Sequence, residues 1–352
     1  MNLTSIFFPK LHLEFDLKPS FQLGSLDVQL YGIIIAFGLF MAVVYALVRK
    51  KQFGLTEDDL LDGVLLIVPV AIIFTRAYYC IFNWGEFKDN PIEVFYIWQG
   101  GLAIYGGVIG AVLGIIAYCY YKKLKIATVL DITMLGFLIG QIIGRWGNFF
   151  NAEAFGCYTD GLFAMRIPFA DLLKAVPDNP SAAYLAQVEL LKQKAIEGGY
   201  EGFVQVHPTF LYESLWNLVG FIGLHFLSKK RRYDGQIALG YVAWYGLGRA
   251  WIEGLRMDSL MLGPFRVSQL LAAVSCVVAL GILIWQHFRY HDPALLFVNQ
   301  RAAEAAALAA EEAAEETDEA TEEESEEESE EDSEETTEAT QEETEEKPGE
   351  DA

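Results

Sequence analysis

The sequence predicts an all-α integral membrane protein of about seven transmembrane helices, with the N-terminus outside and the C-terminus in the cytoplasm. Three observations lead there. Mostly apolar runs of about 20 residues recur, long enough to cross a hydrocarbon core of about 30 Å as helices. Lys and Arg gather in alternate short loops. The acidic excess is confined to one end: the 352 residues carry 48 acidic and 25 basic side chains, a formal charge of -23. From Arg301 to Ala352 there are 25 Asp and Glu against only Arg301 and Lys347, so this segment holds the whole imbalance and the preceding 300 residues are neutral. An acidic soluble enzyme is thereby excluded, and net charge says nothing about substrate.

The elements follow in order. Residues 1–25 lack a basic start, an apolar run and a small-residue cleavage site, so they are expected as an extracytoplasmic segment and not a removable signal peptide. Spans are expected at Leu26–Val48, Leu60–Phe82, Leu102–Tyr121, Val129–Phe149, Thr209–Ser228, Gly235–Ile252 and Val267–Phe288. Stretches such as Gly63–Ile73 and Leu270–Ile284 are apolar all round, which a soluble helical core would not show. Arg49-Lys50-Lys51, Lys122-Lys123-Lys125 and Lys229-Lys230-Arg231-Arg232 follow spans one, three and five, whereas Asn83 to Trp98 has only Lys88. Because basic residues in short loops are retained in the cytoplasm, this asymmetry sets the orientation. Residues 150–207 are then extracytoplasmic, broken by Pro177, Asn179 and Pro180, with a short surface helix at Ala182–Glu197. Residues 26–300 make up the membrane domain. Residues 301–352 hold no aromatic side chain and cannot bury enough apolar surface to offset the entropy of ordering, so a disordered cytoplasmic tail is expected. Its Ala- and Glu-rich start, Arg301 to Glu316, has the composition to extend a helix by a few turns.

Ionisable groups at membrane depth are costly and mark function by default. Here they share one depth, the outer face. Arg76 lies near the outer end of span two, Arg145 and Asn148 near that of span four, and Arg249 and Glu253 near that of span six. Tyr31, Tyr105 and the run His207-Pro208-Thr209 with Tyr212 and Glu213 sit where spans one, three and five begin. Gly144 to Gly156 packs three glycines and two amides around Arg145 and Glu153. Glycine permits close approach of a ligand or a neighbouring backbone, and a planar guanidinium matches phosphate oxygens bidentately. Two arginines in one outer-leaflet pocket point to a phosphate-bearing ligand, for which a phospholipid head group is the expected source. Gly110 and Gly114 instead fit close packing of membrane helices.

Other chemistries find no support. Cys80, Cys119 and Cys276 fall inside spans and Cys157 stands alone in a loop, which leaves no disulfide framework. The histidines His12, His207, His225, His287 and His291 lack metal-ligand spacing, so no metal site is expected. No Gly-x-Ser-x-Gly elbow occurs. A seven-span transporter or receptor is an alternative, but transporters gather polar groups at the midplane of repeated halves. Another phospholipid head-group enzyme, a hydrolase or acyltransferase, is not separated by charge placement alone.

Gly144 to Gly156 resembles the signature of the bacterial prolipoprotein diacylglyceryl transferases, G-R-x-G-N-F-x-N-x-E-x-x-G, with every fixed position filled. Further agreement comes from Tyr31-Gly32, Gly100-Gly101, Gly106-Gly107, His207-Pro208-Thr209, Tyr212-Glu213, Tyr245-Gly246, Arg249 and Glu253. The resemblance covers residues 20–290 and stops short of the tail. It implies transfer of the diacylglyceryl group of phosphatidylglycerol to the lipobox cysteine of a prolipoprotein signal peptide at the extracytoplasmic face of the bacterial cell membrane. It further implies that Arg145 binds the lipid phosphate with Tyr31, Gly156 and Tyr245 around it, and that Arg249 holds substrate or stabilises the leaving group. Asn148 and Glu153 would orient head group and loop. The partners are then membrane lipid and signal peptide; no cofactor and no nucleic acid is expected. One position departs from the family, because many members have histidine where this chain has Tyr105. With a pKa near about 10, tyrosine is a poor base at neutral pH. Tyr105, His207 and Glu153 thus remain the candidate proton acceptors, His207 being equally suited to cap span five.

Overall fold

The computed structural model describes residues 4–314 apart from 25, 98–99, 177–179, 258–260, 263–264 and 290. Most of the expected disordered tail, residues 315–352, and the breakers Pro177 and Asn179 lie outside the described residues. The fold is mostly helical. Its helices are α1 (Leu30–Phe53), α2 (Glu57–Phe82), α3 (Trp84–Phe87), α4 (Ile104–Lys122), α5 (Ile126–Phe150), α6 (Phe169–Lys174), α7 (Ala182–Glu197), α8 (Thr209–Ser228), α9 (Gln236–Leu255) and α10 (Val267–His287).

Six of them, α1, α2, α4, α5, α8 and α10, are long and apolar enough to cross a membrane. The seventh expected span coincides with α9, which is of similar length but is diluted by glycines, tyrosines, Arg249 and Glu253 and is not among the six. Local chemistry sets the boundaries. Gly54, at φ 70°, closes α1 in the left-handed region open to glycine. Thr56 and Asp59 then form a reciprocal capping box that opens α2. The start of α9 is capped from another helix: buried Asp131 of α5 accepts the backbone N–H groups of Gly235 and Ala238, both at 2.8 Å.

Helix α5 packs against α1, α8 and α9, while α2 pairs with α4 and α10 with α9. Large apolar side chains including Phe37, Phe40, Leu65, Ile73, Val277 and Ile284 stay exposed on α1, α2 and α10. In a bilayer such a surface meets acyl chains and needs no protein partner. Two buried cores lie toward opposite ends of α5. One gathers Phe53, Ile132, Leu135, Leu138, Leu224 and Ile237. The other joins Phe149, Phe155 and Phe210 to Ile6, Phe8, Ile167, Leu191 and Val206.

That second core adds a small sheet to the mostly helical fold, which the expectation from sequence does not include. Strands β1 (Thr4–Phe8), β2 (Leu13–Leu17), β5 (Met165–Pro168) and β6 (Phe203–Val206) form one antiparallel sheet in the order β2-β1-β5-β6. Between β2 and α1, β3 (Ser20–Leu23) pairs with β4 (Leu26–Gln29), so the residues expected to open span one are a strand and α1 starts at Leu30. A further short hairpin, β7 (Met261–Leu262) with β8 (Phe265–Arg266), precedes α10. The strands are four or five residues long at most, and β5, the second partner of β1, lies beyond five helices of sequence. Such runs leave little local pattern. Helix α7 does occupy the expected 182–197, opened by Ser181, whose hydroxyl accepts the Tyr184 N–H at 3.1 Å. The chain divides into two compact units, Met1–Val298 and Asn299–Ala352; in the second, residues 299–314 are helical.

Candidate active site

The site is built where α5 ends. Leaving the helix, the chain turns through Ala152 and Ala154, both left-handed at φ 50° and 55°. For residues with a Cβ this conformation costs about 1–2 kcal/mol each, so the surroundings must hold it. They do so through backbone bonds. Glu153 N–H donates to the Asn148 carbonyl at 3.0 Å, Gly156 N–H to His207 at 2.9 Å, and Cys157 N–H to Leu255 at 2.7 Å. The Thr209 hydroxyl adds a bond to the Ala154 carbonyl. The signature loop is thereby clamped between the start of α8 and the end of α9. At Gly156 a Cβ would stand 2.7 Å from His207 Cβ and 2.8 Å from the Leu255 carbonyl oxygen, so any side chain would force this clamp apart. At Gly147 a Cβ would stand 2.7 Å from the Tyr31 ring, which is how α1 brings Tyr31 against α5.

Inside the clamp lies a connected set of charges. The carboxylate of Glu213, 4 % exposed, pairs with Arg145 at 2.5 Å, Arg249 at 3.1 Å and Arg256 at 3.7 Å. Arg249 also pairs with Glu253, itself buried, at 2.7 Å. Arg145 donates to Asn148 at 3.2 Å, and Asn148 donates to Glu153 at 2.9 Å, with Asn151 reaching the same oxygen at 3.4 Å. Arg266 donates to the backbone carbonyls of Glu253 and of Arg256. Four guanidinium groups against the carboxylates of Glu153, Glu213 and Glu253 leave one positive charge in this set. In a low-dielectric setting such charges persist only by mutual pairing, and a net positive set favours an anion. Because Arg145 and Arg249 are neutralised by a shared side chain and not by fixed backbone, each retains donors to turn toward a phosphate.

Of the residues singled out from sequence, Arg145, Asn148, Glu153 and Arg249 meet in this network. Tyr31 borders it, within electrostatic reach of Glu153 and Arg145. Gly156 supports it as backbone. His207 does not cap α8, the alternative role expected for it: α8 has Pro208 at its cap position and no side-chain cap bond. Its Nδ1 instead lies 3.3 Å from the Tyr212 hydroxyl, and partial burial holds its pKa below the usual histidine value. Tyr105 is not drawn in. It is 55 % exposed, its ring faces that of Tyr78 at 6.5 Å, and it makes no polar contact among the described residues. Tyr245 stacks on Tyr241 at 5.6 Å and packs on the core at the other end of α5. Arg76 is likewise spent elsewhere, donating to the carbonyls of Glu93, Val94, Gly100 and Gly101 at 2.6–3.0 Å.

Glu213 as the hub, and Arg256 and Arg266 as members, are not expected from sequence. A carboxylate four residues into an apolar span was the available signal for Glu213. Among the described residues no group of three His, Cys, Asp or Glu is placed to hold a metal ion.

Comparison with known proteins identifies the family. The chain is 39% identical over 272 residues to the phosphatidylglycerol–prolipoprotein diacylglyceryl transferase of Listeria monocytogenes serotype 4b, covering 77% of this chain and 90% of that protein. To the protein of the same name from Limosilactobacillus reuteri it is 41% identical over 269 residues, covering 75% and 89%. To that from Ligilactobacillus salivarius it is 37% identical over 281 residues, covering 79% and 96%. A family profile described as prolipoprotein diacylglyceryl transferase matches residues 18–285, which span every helix that shapes the network, and the chain therefore belongs to the prolipoprotein diacylglyceryl transferase family.

Proposed function

We propose that this protein transfers the diacylglyceryl group of phosphatidylglycerol to the thiol of the lipobox cysteine in a prolipoprotein signal peptide. The observation that carries the reading is the meeting of Arg145 and Arg249 on one buried carboxylate, Glu213. In the reaction the cysteine sulfur bonds to the glycerol carbon that bears the phosphate, the carbon–oxygen bond breaks, and glycerol phosphate departs with the electron pair. Two preorganised guanidinium groups suit both the ground-state phosphate and the charge that grows on the leaving oxygen. Arg145, held by Asn148, binds the phosphate; Arg249, held by Glu253, stabilises the leaving group. Glu153 and Asn151 fix the loop beside the head group, and Tyr31 lines it.

A proton must also leave the thiol. Of the three acceptors, His207 has the best support: burial keeps its imidazole neutral at neutral pH, and in the tautomer whose Nδ1–H donates to the Tyr212 hydroxyl, Nε2 accepts. Tyr105 then serves no proton transfer.

The same proposal includes the topology. All seven long helices cross the cell membrane, with α9 tolerated because its charges are paired inside the bundle. The N-terminus and residues 150–207 lie outside, the basic loops and the tail lie in the cytoplasm, and the network opens at the outer leaflet. Purified protein incubated with phosphatidylglycerol and a lipobox peptide is expected to yield peptide carrying thioether-linked diacylglycerol. Phosphatidic acid or free glycerol without peptide modification would instead identify a head-group hydrolase and overturn the assignment.

A further inference from the structure

The Arg249–Glu213 contact depends on the register of α8 against α9, and that register is set by a feature outside the charged set. Trp216 of α8 and Trp244 of α9 stack with ring centroids 4.4 Å apart and planes 16° apart. Each indole N–H donates to the other tryptophan's backbone carbonyl: Trp216 Nε1 to Trp244 O at 3.0 Å, and Trp244 Nε1 to Trp216 O at 2.9 Å. An indole N–H in an apolar setting needs an acceptor, and here each supplies the other. The approach is possible only because a glycine follows each tryptophan by one helical turn. A Cβ at Gly220 would stand 2.3 Å from Trp244 Cδ1, and one at Gly248 would stand 2.2 Å from Trp216 Nε1. The pattern W-x-x-x-G thus occurs in both helices, and the two copies lock into each other.

This lock sits one turn from the chemistry. Glu213 precedes Trp216 by three residues, and Arg249 directly follows Gly248. A slip of one residue moves a helix by about 1.5 Å along its axis, enough to take a bond near 3 Å out of range. Trp251, two residues before Glu253, also meets the Trp216 ring edge-on at 5.9 Å, so the stack bears on Glu253 as well as on Glu213.

We infer that Trp216 and Trp244, seated on Gly248 and Gly220, are positioning residues that hold Glu213 at the depth where it orients Arg145 and Arg249 for the lipid phosphate. This deepens the transferase reading and rests on it. The test uses full-length detergent-purified protein, phosphatidylglycerol and a lipobox peptide, with Trp216→Phe and its mirror Trp244→Phe, which keep the ring and remove the N–H. Each is expected to raise KM for phosphatidylglycerol about fivefold to tenfold, the scale of one lost hydrogen bond, with the peptide KM unchanged. In a Glu213→Gln background the same substitutions are expected to add less than about twofold, because residues acting through one another are not additive. Full additivity in that background, equal changes for both substrates, or no change in an active protein would overturn the inference. A wild-type protein without transfer would defeat the transferase reading instead. Should one tryptophan variant fail to insert, the other carries the same test.

Discussion

Buried charge occurs at both ends of α5, and the two ends use it differently. Toward the end where α5 begins, Asp131 is saturated by the N–H groups of Gly235 and Ala238, and Asp234 accepts the Phe297 N–H at 2.9 Å with Lys125 at the same distance. Arg231 donates to the Gln52 carbonyl and lies over the Phe53 ring. Asp131, Asp234 and Arg231 each have a backbone partner and tie helices together, although Asp234 also pairs with the side chains of Lys125 and Arg231. At the signature end, Glu213 and Glu253 are held by guanidinium groups on flexible stems. A charge paired with backbone is architecture, because its partner cannot leave. A charge paired with another side chain can exchange that partner for a ligand.

The largest effect that tests the contrast is expected from Arg145→Ala. Transfer should fall by about a hundredfold or more, as when a preorganised donor to a developing charge is removed, while the protein still inserts and unfolds near the wild-type temperature. Near-normal lipidation of a test peptide by this variant would place the phosphate elsewhere. His207→Gln comes next. Since burial depresses the histidine pKa, wild-type activity should stay flat down to below about pH 6.5 and fall only as the imidazole protonates. The variant should be slower by about a hundredfold and lack that acid limb in a pH–kcat/KM profile. Asp131→Asn should do the reverse of Arg145→Ala. Weakening the cap of α9 should cost about 1–2 kcal/mol, read as a lower unfolding midpoint in detergent, with kcat/KM per folded molecule unchanged. A catalytic loss without a stability loss would erase the distinction between the ends. The smallest effect is expected from Tyr105→Phe, whose rate should match the parent within about twofold, since an exposed hydroxyl without a polar partner among the described residues has little to lose.

Much of this contrast is legible in the sequence alone. Arg145, Asn148 and Glu153 lie within one short segment, so their convergence is nearly local: i, i+3 along the end of α5 and one turn of loop. Arg249 and Glu253 are i, i+4 neighbours on one helix face. What is not legible there is non-local. Tyr105 and Tyr245 share the expected depth with the network yet face other surroundings, because depth along a helix is set by sequence whereas the face it presents depends on packing. Arg76 carries the same charge as Arg145 at a similar expected depth, but the turn through Gly100 and Gly101 wraps carbonyls around it. In the signature-end sheet β1 and β2 form a local hairpin of short strands, but the pairing of β1 with β5 is illegible for the same reason, the two being distant in the chain.

By itself, then, the sequence determined the medium, the helices and the signature. Apolar length must match the bilayer, and unpaired ionisable groups are selected out of it. Only the tertiary structure decided which charges face one another. Pairing across α5, α8 and α9 rests on helix register, on glycines that admit tryptophans, and on a carboxylate whose role as hub depends on three guanidinium groups arriving from α5 and from α9 with its C-cap.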